Sequence, residues 1–133
     1  MNAAAAKRLR ATVIVEVGGA VLLAADKSGL VLLPGGGVEA GELPIAAAAR
    51  ELHEETGLRA TRLCFLFHHE SPTNLHHVYF CQAEGEARAA DDAEALLYLD
   101  EPAAATPLEL SPATRAILCR YEAWRDLEPG AEG

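Results

Sequence analysis

Glu51, Glu54 and Glu55 stand at positions i, i+3 and i+4 of one stretch of the chain. On an α-helix those positions fall within an arc of about 100°, so one face would carry three carboxylates side by side. Each close like-charge pair costs a helix roughly 0.2–0.5 kcal/mol, and a cation bound at that face reverses the sign. Hard oxygen donors of this kind suit Mg²⁺, with Mn²⁺ as the alternative, rather than zinc. Ions of that class neutralise phosphate oxygens and activate an attacking water, so the chemistry suggested is hydrolysis at phosphorus. The neighbouring stripe of Ile45, Ala48, Ala49 and Leu52 is expected to face the core. Three isolated glutamates would be read as a solvated acidic face, so the residues around them decide.

Residues 33–58 read LPGGGVEAGELPIAAAARELHEETGL. Gly36 is followed after five residues by Glu42, and after seven more by the run Arg50-Glu51-Leu52-His53-Glu54-Glu55-Thr56-Gly57-Leu58. The pattern resembles the box of the Nudix (MutT-like) family, G-x5-E-x7-R-E-U-x-E-E-x-G-U with U apolar, and every specified position matches. At ordinary residue usage a chance match is on the order of one in a million, so the acidic-surface reading is set aside.

The resemblance implies an α/β (α+β) fold, a mixed β-sheet sandwiched between helices, with the box as strand, loop and helix. It implies Mg²⁺-dependent hydrolysis of a nucleoside diphosphate linked to a moiety X, of the nucleoside triphosphate or nucleotide-sugar type. Glu54, Glu51 and Arg50 would be the catalytic set, with Arg50 orienting a box carboxylate. The metal ligands would be Glu51, Glu54, Glu55, the Gly35 carbonyl and an acid beyond the box, for which Glu94 is the best-placed residue. Glu86, Asp91 and Asp92 remain alternatives to Glu94. Gly36, Gly37 and Glu42 would form the loop that meets the substrate phosphates. Glu54 or an acid outside the box would be the general base. Relatives are often dimers, which leaves a homodimer open. One departure stands at Leu43, where relatives carry Ser or Thr as a helix cap, at a cost of about 1 kcal/mol to the first turn.

These residues need elements to hold them. Ala11–Val17 is rich in β-branched residues and reads as a strand closed by Gly18-Gly19, followed by strands over Ala20–Ala24 and Leu30–Leu33. Gly35, Gly36 and Gly37 read as a turn. A helix is predicted over Pro44–Thr56, with Pro in its first turn and Gly57 just past its end. Leu63–His68 and His76–Ala83 read as strands whose spacing suits a hairpin, and Glu94–Leu99 as another strand. Ser111-Pro112 opens a C-terminal helix to about residue 127, and 128–133 read as a disordered tail.

The chain has 133 residues, half of them apolar, which suits one domain over 1–133 with an ordered core of roughly 8–127. A net charge of −9 makes general nucleic-acid or anionic-membrane binding a poor fit. The same charge means that an anionic polyphosphate substrate would need bridging cations. Lys7, Arg8 and Arg10 at the start read as a frayed terminus rather than a targeting remnant. Three scattered cysteines suggest a reducing, cytoplasmic setting, with Cys64 and Cys81 buried in strands. His68, His69, His76 and His77 tempt as a metal site, but neighbours on a strand point to opposite faces, so strand-end residues are the expectation. Phe65, Phe67, Tyr79, Phe80 and Tyr98 are candidates for stacking on a base. The rival readings are a regulatory Nudix domain without turnover and an isomerase of isopentenyl diphosphate.

Overall fold

The structure is a computed structural model and describes residues 6–90, 93–100 and 109–127. The element order is β1 (Arg8–Val17), β2 (Ala20–Ala25), β3 (Val31–Leu32), β4 (Gly35–Gly37), α1 (Pro44–Thr56), β5 (Arg59–Glu70), β6 (Asn74–Glu84), β7 (Ala95–Leu99) and α2 (Pro112–Leu127). The strands form a mixed sheet in the order β3-β2-β1-β6-β5, with β4 paired to β1 and β7 to β2.

β1 is the strand around which the rest is arranged. It runs parallel to β6 from Arg8↔Asn74 to Val15↔Cys81 and antiparallel to both β2 and β4. The intervening chain contains α1, the kind of crossover a parallel pair requires. Alternation along β1 then feeds two cores. Ala11, Val13 and Val15 pack with Ala47, Ala48 and Leu52 of α1, whereas Ile14 packs with Val78, Ile117, Leu118 and Tyr121 on the side of α2. The sheet is therefore sandwiched between helices, in the α+β arrangement expected.

α1 has the bounds that Pro44 and Gly57 imply. Leu43 sits at its N-cap in extended conformation with no side-chain hydrogen bond. Gly57 closes it with φ 77°, donating its N–H to the His53 carbonyl at 2.9 Å. Gly tolerates that left-handed conformation without the Cβ penalty. β5 and β6 form the expected hairpin, and it pairs His68 with His77 and His69 with His76.

Three expectations are corrected. The core stripe of α1 is Ala47, Ala48, Leu52 and Thr56; Ile45 is 42% exposed and Ala49 only half-buried. The face turns because small alanines allow close approach to β1, and because the Thr56 hydroxyl is satisfied by the Leu52 carbonyl at 2.6 Å. Cys64 is exposed, since β5 is an edge strand with a largely uncovered face, while Cys81 on interior β6 is buried. The three glycines are not a bare turn: they pair with Arg10, Ala11 and Thr12 as β4. The tail at 128–133 lies outside the described residues. No described helix is long and apolar enough to cross a membrane.

Candidate functional site

The β4 glycines let backbone and carboxylates approach where any side chain would intrude. A Cβ on Gly36 would fall on the Glu51 carboxylate, and one on Gly35, whose φ is 152°, would strike the Ala11 carbonyl. The Gly35 N–H points to Glu55 Oε1 at 3.3 Å. A cleft of about 680 Å³ opens there, lined by Gly35, Gly36, Gly37, Glu51, Glu55 and Arg10, with Asp26, Lys27 and Ser28 also on its wall. Its size lies within the range of ligand sites.

Arg50 ties the loop to the helix. Its Nε and Nη2 donate to the two Glu42 oxygens at 2.8 and 2.9 Å, a bidentate pair. Nη1 reaches Glu51 Oε2 at 3.0 Å and Glu54 Oε1 at 3.2 Å, and Nη2 donates to the Gly37 carbonyl at 3.1 Å. The Arg50 side-chain bond and the Glu39 N–H hold the Glu42 carboxyl down at about 2. In turn Glu42, despite partial desolvation, pushes Arg50 further above its ordinary value. One guanidinium thus offsets the repulsion among Glu42, Glu51 and Glu54, which the helix would otherwise bear.

The predicted residues divide by position. Glu51 and Glu55 line the cleft with Gly35, Gly36 and Gly37. Glu54, with its side chain 41% exposed, lies on the outer side of the same helix face, bound to Arg50. Glu94 is exposed beside the cleft; its N–H donates to the carbonyl of Ala25, and Ala25 and Ala93 are cleft residues. Glu86 is exposed and pairs with Arg88 at 3.8 Å. Asp91 and Asp92 lie outside the described residues. Among the described residues no three acidic, His or Cys side chains converge closely enough to hold a metal ion unaided. Arg50 draws Glu51 and Glu54 toward itself, and the donors available are all hard oxygens.

The histidines stay apart from this cluster. His68 and His77 stack edge to face at 4.4 Å between ring centroids. His76 is buried and its Nδ1 lies 2.8 Å from the Thr12 hydroxyl. Burial first, then the charge of Arg10, pushes His76 down to about 4, so it is neutral at neutral pH. Of the aromatic candidates, Phe65 and Tyr98 are half exposed, at 50% and 51%, while Tyr79 is buried and Phe67 and Phe80 pack on the α2-side core.

Sequence reasoning missed Arg10. The expectation of a frayed basic terminus fails there, because pairing with Gly37 and His76 carries Arg10 into the cleft. Its side chain is partly buried; burial pushes its pKa down, against the upward pull of Glu55 and Glu51. The alternation of Arg10 with buried Thr12 and Ile14 on one strand was the available signal.

Residues 6–121 match the family model described as the NUDIX domain. Among solved structures, a Chromobacterium violaceum protein described as a nudix hydrolase family member superposes with a TM-score of 0.85 at 37% identity, over 95% of this chain and 83% of that one. A MutT NUDIX hydrolase from Burkholderia pseudomallei gives 0.72 at 27% identity, over 84% and 95%. An RNA pyrophosphohydrolase from Bartonella clarridgeiae is 55% identical over 38 residues, 29% of this chain. The matched stretch spans only 22% of that relative's length. With a family model matched from residue 6 to residue 121 and the box folded as glycine strand, loop and carboxylate helix, this chain belongs to the Nudix family.

Proposed function

We propose that this chain is a Mg²⁺-dependent pyrophosphohydrolase acting on a nucleoside diphosphate linked to a moiety X, of the nucleoside triphosphate or nucleotide-sugar type. The observation that carries the reading is the cleft in which Glu51 and Glu55 face the peptide groups of Gly35, Gly36 and Gly37. The residues fit the ion in kind, because the donors at the cleft are carboxylates and carbonyls with no thiolate or imidazole among them. Glu51, Glu54, Glu55 and the Gly35 carbonyl would hold it, with Glu94 at the rim as a further ligand. When bound, Mg²⁺ supplies a Lewis acid and neutralises charge on the phosphate oxygens.

The chain's own groups do the rest. Arg50 fixes the loop to the helix, so Glu51 and Glu54 keep their positions as the substrate enters. The Gly35 N–H orients Glu55. Gly36 and Gly37 leave their peptide groups open to the phosphates, and Glu42 keeps Arg50 in place. Glu54, bonded to Arg50 through Oε1, offers its other oxygen to the proton that leaves the attacking water.

The test is a hydrolysis screen with Mg²⁺ and with Mn²⁺ across nucleoside triphosphates, nucleotide sugars, dinucleoside polyphosphates and capped RNA. Each product is identified. Release of a nucleotide and a phosphate or pyrophosphate supports the reading. Rearrangement of isopentenyl diphosphate with no released phosphate would favour the isomerase. Binding of a panel member without turnover would favour a regulatory domain.

A further inference from the structure

A second cavity of about 310 Å³ adjoins the cleft, and Arg10, Leu32 and Leu33 line both. Arg10 therefore forms part of the wall between them. A guanidinium carries five N–H donors. The one side-chain hydrogen bond Arg10 makes among the described residues is from Nη2 to the Leu33 carbonyl, and it is long at 3.4 Å. Glu51 and Glu55 act on it through space. On its other flank His76 is neutral and bonded through Nδ1 to the Thr12 hydroxyl, so it supplies no charge to an anion. A partly buried, weakly bonded guanidinium lining a cleft is a ready receptor for an oxyanion edge.

We propose that Arg10 binds a phosphate group of the substrate at the junction of the two cavities, leaving the non-phosphate end on the side of His76 and Thr12. This rests on the hydrolase reading above and adds a substrate-binding residue from outside the box. Two features support the choice of a phosphate. The cleft is acidic at Glu51 and Glu55, so an anion entering it needs a fixed cation that is not already engaged, and Arg50 is engaged by Glu42, Glu51 and Glu54. Arg10 also stands on β1 between β4 and β6, so its backbone is held on both sides and its position is set in advance.

The test compares wild type, Arg10→Met and Arg10→Lys in the presence of Mg²⁺. Binding is measured by calorimetry for a non-hydrolysable methylene-bridged nucleoside triphosphate, for inorganic tripolyphosphate and for the phosphate-free nucleoside. Kinetics with the best substrate of the screen are measured alongside. Loss of a charge-assisted bidentate contact is expected to weaken both phosphate ligands about 10- to 100-fold in Arg10→Met, with a partial loss in Arg10→Lys. Nucleoside binding and the melting temperature are expected to stay near wild type. Phosphate-ligand affinities within threefold of wild type in Arg10→Met overturn the proposal, as does an equal loss for the nucleoside. If Arg10→Met weakens phosphate ligands in a protein that hydrolyses nothing, the reaction reading fails and Arg10 keeps its role. If hydrolysis proceeds and binding is unmoved, the reverse holds.

Discussion

Replacing Gly36 by alanine tests the close approach on which the site depends. The added Cβ would lie 2.6 Å from Glu51 Oε1 and closer still to the rest of that carboxylate, whereas ordinary contact begins at 3.4 Å. The carboxylate must therefore retreat by at least about 0.8 Å, which disturbs its 3.0 Å bond to Arg50. Misplacing a catalytic group by ~1 Å costs on the order of 10²-fold in rate. The fold has no comparable reason to suffer. Gly36 does not have positive φ, and the obstructing atoms are the end of a flexible side chain. Steady-state kinetics with the best substrate at saturating Mg²⁺, beside a thermal melt, read the two effects apart. Gly36→Ala is expected to lose about 10²-fold in kcat/KM with a melting temperature near that of wild type. Gly37→Ala, whose Cβ meets nothing within 4 Å, controls for stiffening of the strand and is expected to lose far less. A Gly36→Ala enzyme within threefold of wild type would refute the steric reasoning.

Other perturbations address the helix, the thiols and the buried imidazole. Leu43→Ser places a hydroxyl at an N-cap that lacks a side-chain bond, and is expected to stabilise the fold by about 0.5–1 kcal/mol, read as a higher urea midpoint at unchanged slope. Under native conditions at pH 8, a thiol reagent is expected to label Cys64 and Cys119, which are exposed, and spare Cys81, where burial pushes the thiol up to about 11; denaturation releases the third thiol, which mass spectrometry counts. His76 is held at about 4 in the fold against about 6.5 unfolded, so the unfolded chain takes up the proton first as pH falls. Its effect on stability is absent above pH ~6.5, and stability is lost as pH falls from there to about 4, with about 3 kcal/mol as the ceiling. Urea melts across that range, with His76→Phe as reference, measure the slope, and a slope identical in both proteins would contradict the burial of this ring.

Local signals were the legible ones. Pro44 and Gly57 bounded α1, and the spacing of Glu51, Glu54 and Glu55 set them on adjacent turns of that helix, because helix geometry depends on near neighbours in sequence. Which face of α1 is buried could not be read the same way. It depends on how closely β1 approaches, and that moved Ile45 out to solvent and Thr56 into the core. The exposure of Cys64 depends on β5 being an edge strand, which apolar neighbours do not reveal. Arg10 was hidden for the same reason. Its role depends on pairing with Gly37 and His76, which are 27 and 66 positions away, and the parallel pairing exists only once α1 has crossed over. The three glycines read as a turn in isolation, because their pairing as β4 needs β1 in place.

The most direct test of the central claim is a phosphorus NMR time course of the purified chain with the best nucleotide of the screen. It is run with chelator, with Mg²⁺, and with Mg²⁺ on Glu54→Gln. Wild type with Mg²⁺ is expected to convert the diphosphate linkage to two phosphorus-containing products, with conversion abolished by chelator and reduced at least 10²-fold in Glu54→Gln. Undiminished turnover in chelator or in Glu54→Gln would contradict the assignment of metal and carboxylates to this helix.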